Sequence, residues 1–165
     1  MLKDTHGLPV STASGQAAED FNRALLGYLK YRVDTPDHLA RSIAADPAFG
    51  LAHCTRGYFL MLANRKDNVP VAAQAAATAR SLTAGATRRE QLHVSALEAW
   101  VAGELDTMLA IWESILKAHP TDVLAFRLPT EEAAAFRRLA RSANLPVSTI
   151  LRQIVRDAAA TKAEE

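Results

Sequence analysis

The chain has 165 residues, of which 49% are hydrophobic and 22% charged, and its formal net charge at pH 7 is +1. This composition is too apolar for a disordered polypeptide, and the net charge by itself indicates no nucleic-acid or acidic partner. The single cysteine, Cys54, excludes an intrachain disulfide framework and is typical of a reducing compartment. No segment has the apolar length of a signal peptide or a membrane span, so we expect a cytoplasmic protein without a membrane partner.

The first part of the chain predicts a helical hairpin. Ser14 is expected to cap a helix that extends to about Arg32, because apolar residues recur at helical spacing between them. Asp34-Thr35-Pro36 then ends this helix and starts a second one, since proline suits the first turn of a helix. Asp46-Pro47 is expected to close the second helix.

Two more hairpins follow at similar spacing. The pattern predicts helices over Phe49 to Ala63 and Val69 to Leu82, and then over Arg88 to Ala102 and Leu105 to Ala118. Three hairpins of roughly 35 residues each are typical of a tetratricopeptide-type period. The composition agrees with an all-α fold, because alanine favours helices and lets their axes approach closely.

A family resemblance covers most of residues 1 to 125, which are similar to the amino-terminal part of the tetratricopeptide repeat protein 38 family. The motifs that carry it are Asp46-Pro47-Ala48-Phe49, Arg89-Glu90-Gln91-Leu92-His93-Val94, Ala99-Trp100-Val101-Ala102-Gly103-Glu104-Leu105, Trp112-Glu113-Ser114-Ile115-Leu116 and His119-Pro120-Thr121-Asp122. The resemblance implies a helical-repeat protein with no established chemistry of its own. Families of that kind are longer, and this chain departs from the pattern near Leu128.

The character of the sequence changes at Val123, so we predict a repeat region at 1–122 and a second segment at 123–165. Val123 to Leu128 alternates in a way that can form a short strand, and helices are expected over Ala133 to Ala143 and Thr149 to Ala160. This order resembles the ribbon-helix-helix DNA-binding fold over residues 123 to 160. The residues that carry it are Arg127-Leu128-Pro129-Thr130-Glu131-Glu132, Leu139-Ala140, Asn144-Leu145-Pro146-Val147-Ser148 and Leu151-Arg152.

The ribbon-helix-helix resemblance implies a homodimer in which two chains pair their strands in the major groove of DNA. Arg127 would then read a base edge, while the backbone N–H groups near Val147 and Ser148 would bind a phosphate. The segment from Arg127 to Asp157 contains six arginines and three carboxylates, and this excess of positive charge favours the interpretation modestly. The alternative is a plain helical hairpin that ends the repeat array.

Few residues suggest catalysis or metal binding. Glu90 and His93 have the E-x-x-H spacing of carboxylate-bridged metal sites, but a structural pair that fixes one hairpin against the next is the favoured interpretation. His53 and Cys54 are helix neighbours that point about 100° apart, so a buried core cysteine is expected rather than a nucleophile. The sequence has neither a glycine-rich phosphate loop nor paired cysteines. We therefore predict no enzyme, no metal site and no cofactor.

A binding groove is the stronger functional hypothesis. In tetratricopeptide arrays the first helices of successive hairpins line a concave face, and the resemblance implies that six residues lie there to bind a protein or peptide. They are Tyr28, Tyr58, Met61, His93, Leu97 and Trp100. The alternative is that these side chains fill the space between hairpins. The sequence thus predicts a protein–protein interaction scaffold, with a homodimeric DNA-binding regulator as the alternative function.

Overall fold

The computed structural model describes residues 1–127, and this part of the chain is mainly helical, as predicted. Six helices form three consecutive hairpins, and a short seventh helix follows. Their bounds are α1 Gly15–Leu29, α2 Thr35–Ala45, α3 Gly50–Leu62, α4 Asn68–Leu82, α5 Arg88–Val101, α6 Leu105–Ala118 and α7 Val123–Arg127. The predicted bounds of the first six helices are confirmed to within three residues.

Local capping explains where two of the helices begin. The Ser14 side chain accepts a hydrogen bond of 3.1 Å from the Ala17 backbone N–H at the start of α1. Thr87 and Glu90 form a reciprocal capping box at the start of α5. Each bond satisfies a backbone or side-chain group that the first helical turn would otherwise leave without a partner.

The hairpins pack against one another through small residues. Helix α3 contacts α2 and α5, and α4 also contacts α5. A methyl group added at Gly57 of α3 would lie 2.3 Å from Leu97 Cδ2, so the glycine permits the close approach of α3 and α5. The buried face of α4 consists of alanines alone, namely Ala72, Ala75, Ala76 and Ala79. These alanines let the axis of α4 approach its neighbours closely, as the composition predicts.

A hydrophobic core joins the first hairpins to α7. Phe21 of α1 meets Phe49 edge to face, with 5.0 Å between ring centroids. Leu25 and Leu51 belong to the same cluster, as does Leu124 of α7, which is only 2% exposed. Helix α7 therefore returns to the start of the array and packs with α1.

The amino-terminal lead forms a small β-hairpin that the sequence analysis did not predict. Strand β1 (Leu2–Lys3) pairs antiparallel with β2 (Pro9–Val10), with Leu2 opposite Val10. The Asp4 carboxylate accepts hydrogen bonds from the backbone N–H groups of His6 and Leu8, which shapes the turn. Val10 is fully buried in the core cluster and so fixes the hairpin to the helices.

The predicted strand over Val123 to Leu128 is wrong for the residues described, because 123–127 form helix α7. Asp122 starts the helix: its Oδ1 accepts from the Ala125 backbone N–H at 3.0 Å, and its carbonyl accepts from the Phe126 N–H. A strand would place Leu124 and Phe126 on one face, whereas here Leu124 is buried and Phe126 is 59% exposed. The two helices predicted beyond Leu128 lie outside the described residues.

Candidate functional site

Glu90 and His93, which have the spacing of a metal-binding pair, lie in the interior. Tyr58 of α3 donates a hydrogen bond of 2.7 Å from its hydroxyl to the His93 carbonyl, and that hydroxyl accepts a 3.1 Å bond from Trp112 Nε1. The His93 ring reaches Asp122 Oδ2 at 2.9 Å through Nε2. Arg89 donates to the same carboxylate oxygen at 2.8 Å. We call Tyr58, Arg89, His93, Trp112 and Asp122 the buried polar network.

Arg89 also connects the network to the amino-terminal hairpin. Its second terminal nitrogen donates to the Pro9 carbonyl at 3.0 Å and lies 4.0 Å from Asp4 Oδ2. Both Arg89 and Asp122 are almost completely buried, so the ion pair is well shielded from water. Arg89 Nε has no hydrogen-bond partner among the described residues. The network thus links α3, α5, α6, the start of α7 and the β-hairpin.

The charges facing Asp122 determine its protonation. Burial by itself raises the pKa of this carboxyl, but the facing His93 ring and the Arg89 guanidinium favour the carboxylate. Their combined effect holds the pKa of Asp122 well below its ordinary value. The carboxylate is therefore a permanent structural anion, which suits it to fixing α7 in place rather than to exchanging protons.

Glu90 and His93 serve different contacts, although they share one face of α5. The two Glu90 carboxylate oxygens accept from the Ser11 backbone N–H at 2.9 Å and from the Ser11 hydroxyl at 2.6 Å. His93 instead contacts Tyr58 and Asp122. Each residue thus ties α5 to another part of the chain, in line with the favoured structural interpretation. The two side chains do so through different partners: Ser11 for Glu90, and Tyr58 and Asp122 for His93.

The six residues expected in an open groove do not form one. Tyr58, His93 and Leu97 are completely buried, and so the prediction that they are exposed to a partner is wrong. Tyr28, Met61 and Trp100 are half-buried. The rings of Tyr58, Trp100 and Trp112 pack together, with centroids 5.5 to 6.1 Å apart. These contacts agree with the alternative that the side chains fill the space between hairpins.

The residues proposed to contact DNA are only partly described. The Arg127 backbone ends α7 instead of lying in a strand that could pair with a second chain. The side chain of Arg127, together with Val147 and Ser148, lies outside the described residues. The expected paired-strand ribbon therefore has no counterpart in residues 123–127.

The remaining reactive side chain, Cys54, is fully buried, and burial raises the pKa of its thiol well above the ordinary value. Its neighbour His53 points elsewhere and contacts the Pro47 carbonyl at 3.0 Å. Across residues 1–127, no three His, Cys, Asp or Glu side chains gather in a way that could hold a metal ion. None of the described helices is both long and apolar enough to cross a membrane.

A second region stands out at the surface, where the two helices of each hairpin are joined. All three of these turns contain a residue in the left-handed backbone region: Tyr31 at φ 54°, Asn64 at φ 51° and Gly103 at φ 77°. The first and third turns share one geometry, since the Arg32 N–H bonds to the Gly27 carbonyl as the Glu104 N–H bonds to the Ala99 carbonyl. Glycine and asparagine are ordinary choices at this position, whereas tyrosine is not.

Tyr31 and Val33 are also the most exposed apolar residues of the first turn. Tyr31 is 85% exposed and Val33 is 98% exposed. Tyr28 and Phe59 contact each other near the ends of α1 and α3, with 5.2 Å between ring centroids and the ring planes tilted by 42°, so the two helix ends lie side by side. Leu62, one helical turn beyond Phe59, is 38% exposed. We call Tyr31, Val33 and Leu62, with the adjacent cations Lys30, Arg65 and Lys66, the turn surface.

The first turn holds its shape through its own hydrogen bonds. Arg32 donates two hydrogen bonds to the Asp34 carboxylate, at 3.0 and 2.7 Å. The hydrogen bond from Arg32 lowers the pKa of Asp34 to about 2. The Thr35 hydroxyl donates to the Arg32 carbonyl at 2.8 Å. The exposed side chains of Tyr31 and Val33 are thus presented on a defined backbone, whereas the sequence predicts that the helix continues to about Arg32.

No protein-family model matches this chain, and no solved structure matches it.

Proposed function

We propose that the protein is a non-enzymatic scaffold that acts in the cytoplasm and binds a partner protein through the turn surface. The supporting observation is the residue choice at Tyr31. A left-handed backbone destabilises a side-chain-bearing residue by about 1 to 2 kcal/mol, and the equivalent position of the third hairpin holds Gly103. Tyr31 is 85% exposed, so its ring is accessible to a partner. Strained residues of this kind cluster at binding sites.

The chemistry of the turn surface suits protein recognition. Tyrosine is enriched at binding hot spots because its rigid ring buries a large area while its hydroxyl keeps a polar partner. The buried polar network supports the non-enzymatic part of the proposal, because its side chains are committed to contacts within the chain. The DNA-binding alternative lacks its pairing strand in residues 123–127, and the excess of arginines between Arg127 and Asp157 is its remaining support.

Site-specific cross-linking tests this proposal. A photoreactive phenylalanine analogue replaces Val33 in the full chain, which is then expressed in the cells that make the protein. The matched control carries the analogue at Val71 of α4, which is another exposed valine. We expect one discrete cross-linked protein from position 33 and not from position 71.

The cross-linked protein must then bind the purified chain directly. We expect the Val33→Ser variant to lose most of this binding while Val71→Ser keeps it. Identical cross-linked products at the two positions, or equal binding by both serine variants, would reject the proposed function.

A further inference from the structure

Residues 9–12 are held by side chains of the helical array as well as by their own β-hairpin. The Pro9 carbonyl accepts a hydrogen bond of 3.0 Å from Arg89. The Ser11 backbone N–H and the Ser11 hydroxyl donate to the two Glu90 carboxylate oxygens, at 2.9 and 2.6 Å. Arg89 and Glu90 are neighbours in the first turn of α5, so the start of one helix binds this stretch of backbone. We call residues 9–12 the docked segment.

Buried side chains alternate with partly exposed ones along the docked segment. Val10 is completely buried in the core cluster. Thr12 is also buried, and its hydroxyl donates a hydrogen bond to the Asp46 carboxylate. Pro9 and Ser11 are partly exposed. Side chains that alternate between pockets and the surface are typical of an extended peptide bound in a groove.

These contacts define what a ligand of the site needs. Two of the hydrogen bonds go to backbone groups, the Pro9 carbonyl and the Ser11 N–H, and therefore place few demands on sequence. The other two are donated by the hydroxyls of Ser11 and Thr12 to carboxylates of Glu90 and Asp46. An acidic side chain at either position would be repelled by these carboxylates. The contacts thus suit a β-branched apolar residue followed by two hydroxyl residues.

We infer that the side chains around the docked segment form a peptide-binding site for an extended segment of a partner protein. The partner segment has the pattern just described, namely a valine-like residue followed by serine or threonine. The docked segment is then an intramolecular competitor, which has to leave before the partner binds. This site shares no residue with the turn surface, and the inference does not depend on the proposed function.

Arg89 indicates that a different segment can bind better than the docked one. Its side chain is only 3% exposed, and its Nε has no hydrogen-bond partner among the described residues. A buried donor without a partner costs free energy, so a segment that offers this guanidinium one more acceptor gains affinity. Exchange of docked segments between two copies of this chain would reproduce the same contacts and bring no such gain. A segment of another protein is therefore favoured over a second copy.

The covalent link gives the docked segment an advantage over a free peptide. A short tether acts as an effective concentration on the order of 1 mM. The tether here is short, because Thr12 is followed after one residue by Ser14, the N-cap of α1. A free peptide with the same sequence should consequently bind the wild type weakly. A change that weakens only the docked segment should increase the binding of that peptide.

Fluorescence anisotropy tests the site with the full chain and a labelled synthetic peptide that has the sequence of residues 6–14. Val10→Ser removes the apolar anchor of the docked segment, so this variant should bind the peptide about ten-fold more tightly than the wild type, or better. Val71→Ser, at an exposed valine of α4, is the matched control and should bind it as the wild type does. Circular dichroism verifies that each variant is folded.

A milder variant and a modified peptide sharpen this test. Ser11→Ala leaves the core intact and removes one hydrogen bond to Glu90, so it should bind the peptide about three-fold more tightly than the wild type; it decides the question if Val10→Ser does not fold. A peptide methylated at the Ser11 backbone nitrogen cannot donate to Glu90, and its affinity should fall about ten-fold. Methylation at the exposed Ala13 nitrogen is the control and should change the affinity less.

Selection from a random peptide library on the wild-type chain tests whether a better ligand exists. We expect enriched peptides with a β-branched apolar residue before serine or threonine. They should bind the wild type more tightly than the 6–14 peptide does, and Val10→Ser more tightly still. If no selected peptide exceeded the 6–14 peptide, the docked segment would be only a part of the fold and the inference would be overturned.

Two other results would also reject the inference. One is equal affinity of the 6–14 peptide for the wild type, Ser11→Ala and every folded variant. The other is a wild-type dimer that the 6–14 peptide dissociates, because the site would then serve exchange between copies. Neither result bears on the turn surface, which cross-linking at position 33 tests separately.

Discussion

The buried polar network and the turn surface use their side chains in opposite ways. In the network, His93, which the sequence offers as a candidate metal ligand, and Arg89 are held by partners from distant parts of the same chain. In the turn surface, Tyr31 and Val33 are exposed between α1 and α2. Motif spacing is therefore a poor guide to function in this chain, whereas side-chain burial separates structural residues from those available for interaction.

The largest expected effect comes from Asp122, which joins Arg89, His93 and the start of α7. Replacing it with alanine leaves a buried guanidinium without its carboxylate, so we expect Asp122→Ala to lower the free energy of unfolding by about 3 to 5 kcal/mol. Urea denaturation measures the change. Asp106→Ala, which removes an exposed carboxylate from the first turn of α6, should cost less than about 1 kcal/mol.

If Asp122→Ala and Asp106→Ala lowered the free energy of unfolding by a similar amount, the buried polar network would not be a main source of stability. Asp122→Asn provides a second measurement in case Asp122→Ala does not fold, since it keeps the shape of the side chain and removes only its charge. It too should destabilise the protein more than Asp106→Asn does.

Lowering the pH should have an intermediate effect on the free energy of unfolding. The pKa of Asp122 is lowered on folding, because His93 and Arg89 outweigh the opposing effect of burial. A lowered carboxyl pKa contributes stability that is complete above the unfolded-state value, about 3.9, and is lost as the pH falls through the folded-state value. Between about pH 7 and pH 3 the wild type should therefore lose more stability than Asp122→Asn, by on the order of 2 kcal/mol or less. Parallel pH profiles of the two proteins would contradict the role of this charge.

The smallest effect should come from the turn surface and have the opposite sign. Tyr31→Gly relieves the left-handed backbone strain but adds freedom to the unfolded chain, so we expect a net gain of about 0.5 to 1 kcal/mol in the free energy of unfolding. Asn64→Gly is the matched control and should change stability less, because asparagine tolerates this conformation. Thermal unfolding of the three proteins gives the comparison. A loss of stability in Tyr31→Gly would show that the tyrosine is retained for the fold and not for a partner.

Much of the fold could be predicted because its signals are local. The capping residues Ser14 and Thr87 act within three positions along the chain, and helical spacing of apolar residues repeats over each helix. The segment at 123–127 was misjudged because five residues fit either period. The deciding signal is Asp122, whose carboxylate caps the start of α7.

The contacts of the candidate sites could not be predicted in the same way. Ser11 and Glu90 are 79 positions apart, and Arg89 and Asp122 are 33 apart, with no periodic signal to connect them. The groove prediction failed for a related reason. Its residues Tyr58 and His93 lie on the expected helices, but Trp112 and Asp122 come from outside those helices to satisfy their polar groups.

Three helical hairpins, their approximate ends and the close packing of alanine-rich helices can be read from the sequence, because they follow from periodicity, capping and side-chain size. The return of α7 to the core at Leu124 and the internal pairing of His93 and Arg89 follow only from the folded chain. The same is true of the exposure of Tyr31 on a left-handed turn. Burial and ion pairing depend on which distant segments meet, and no local pattern encodes that meeting.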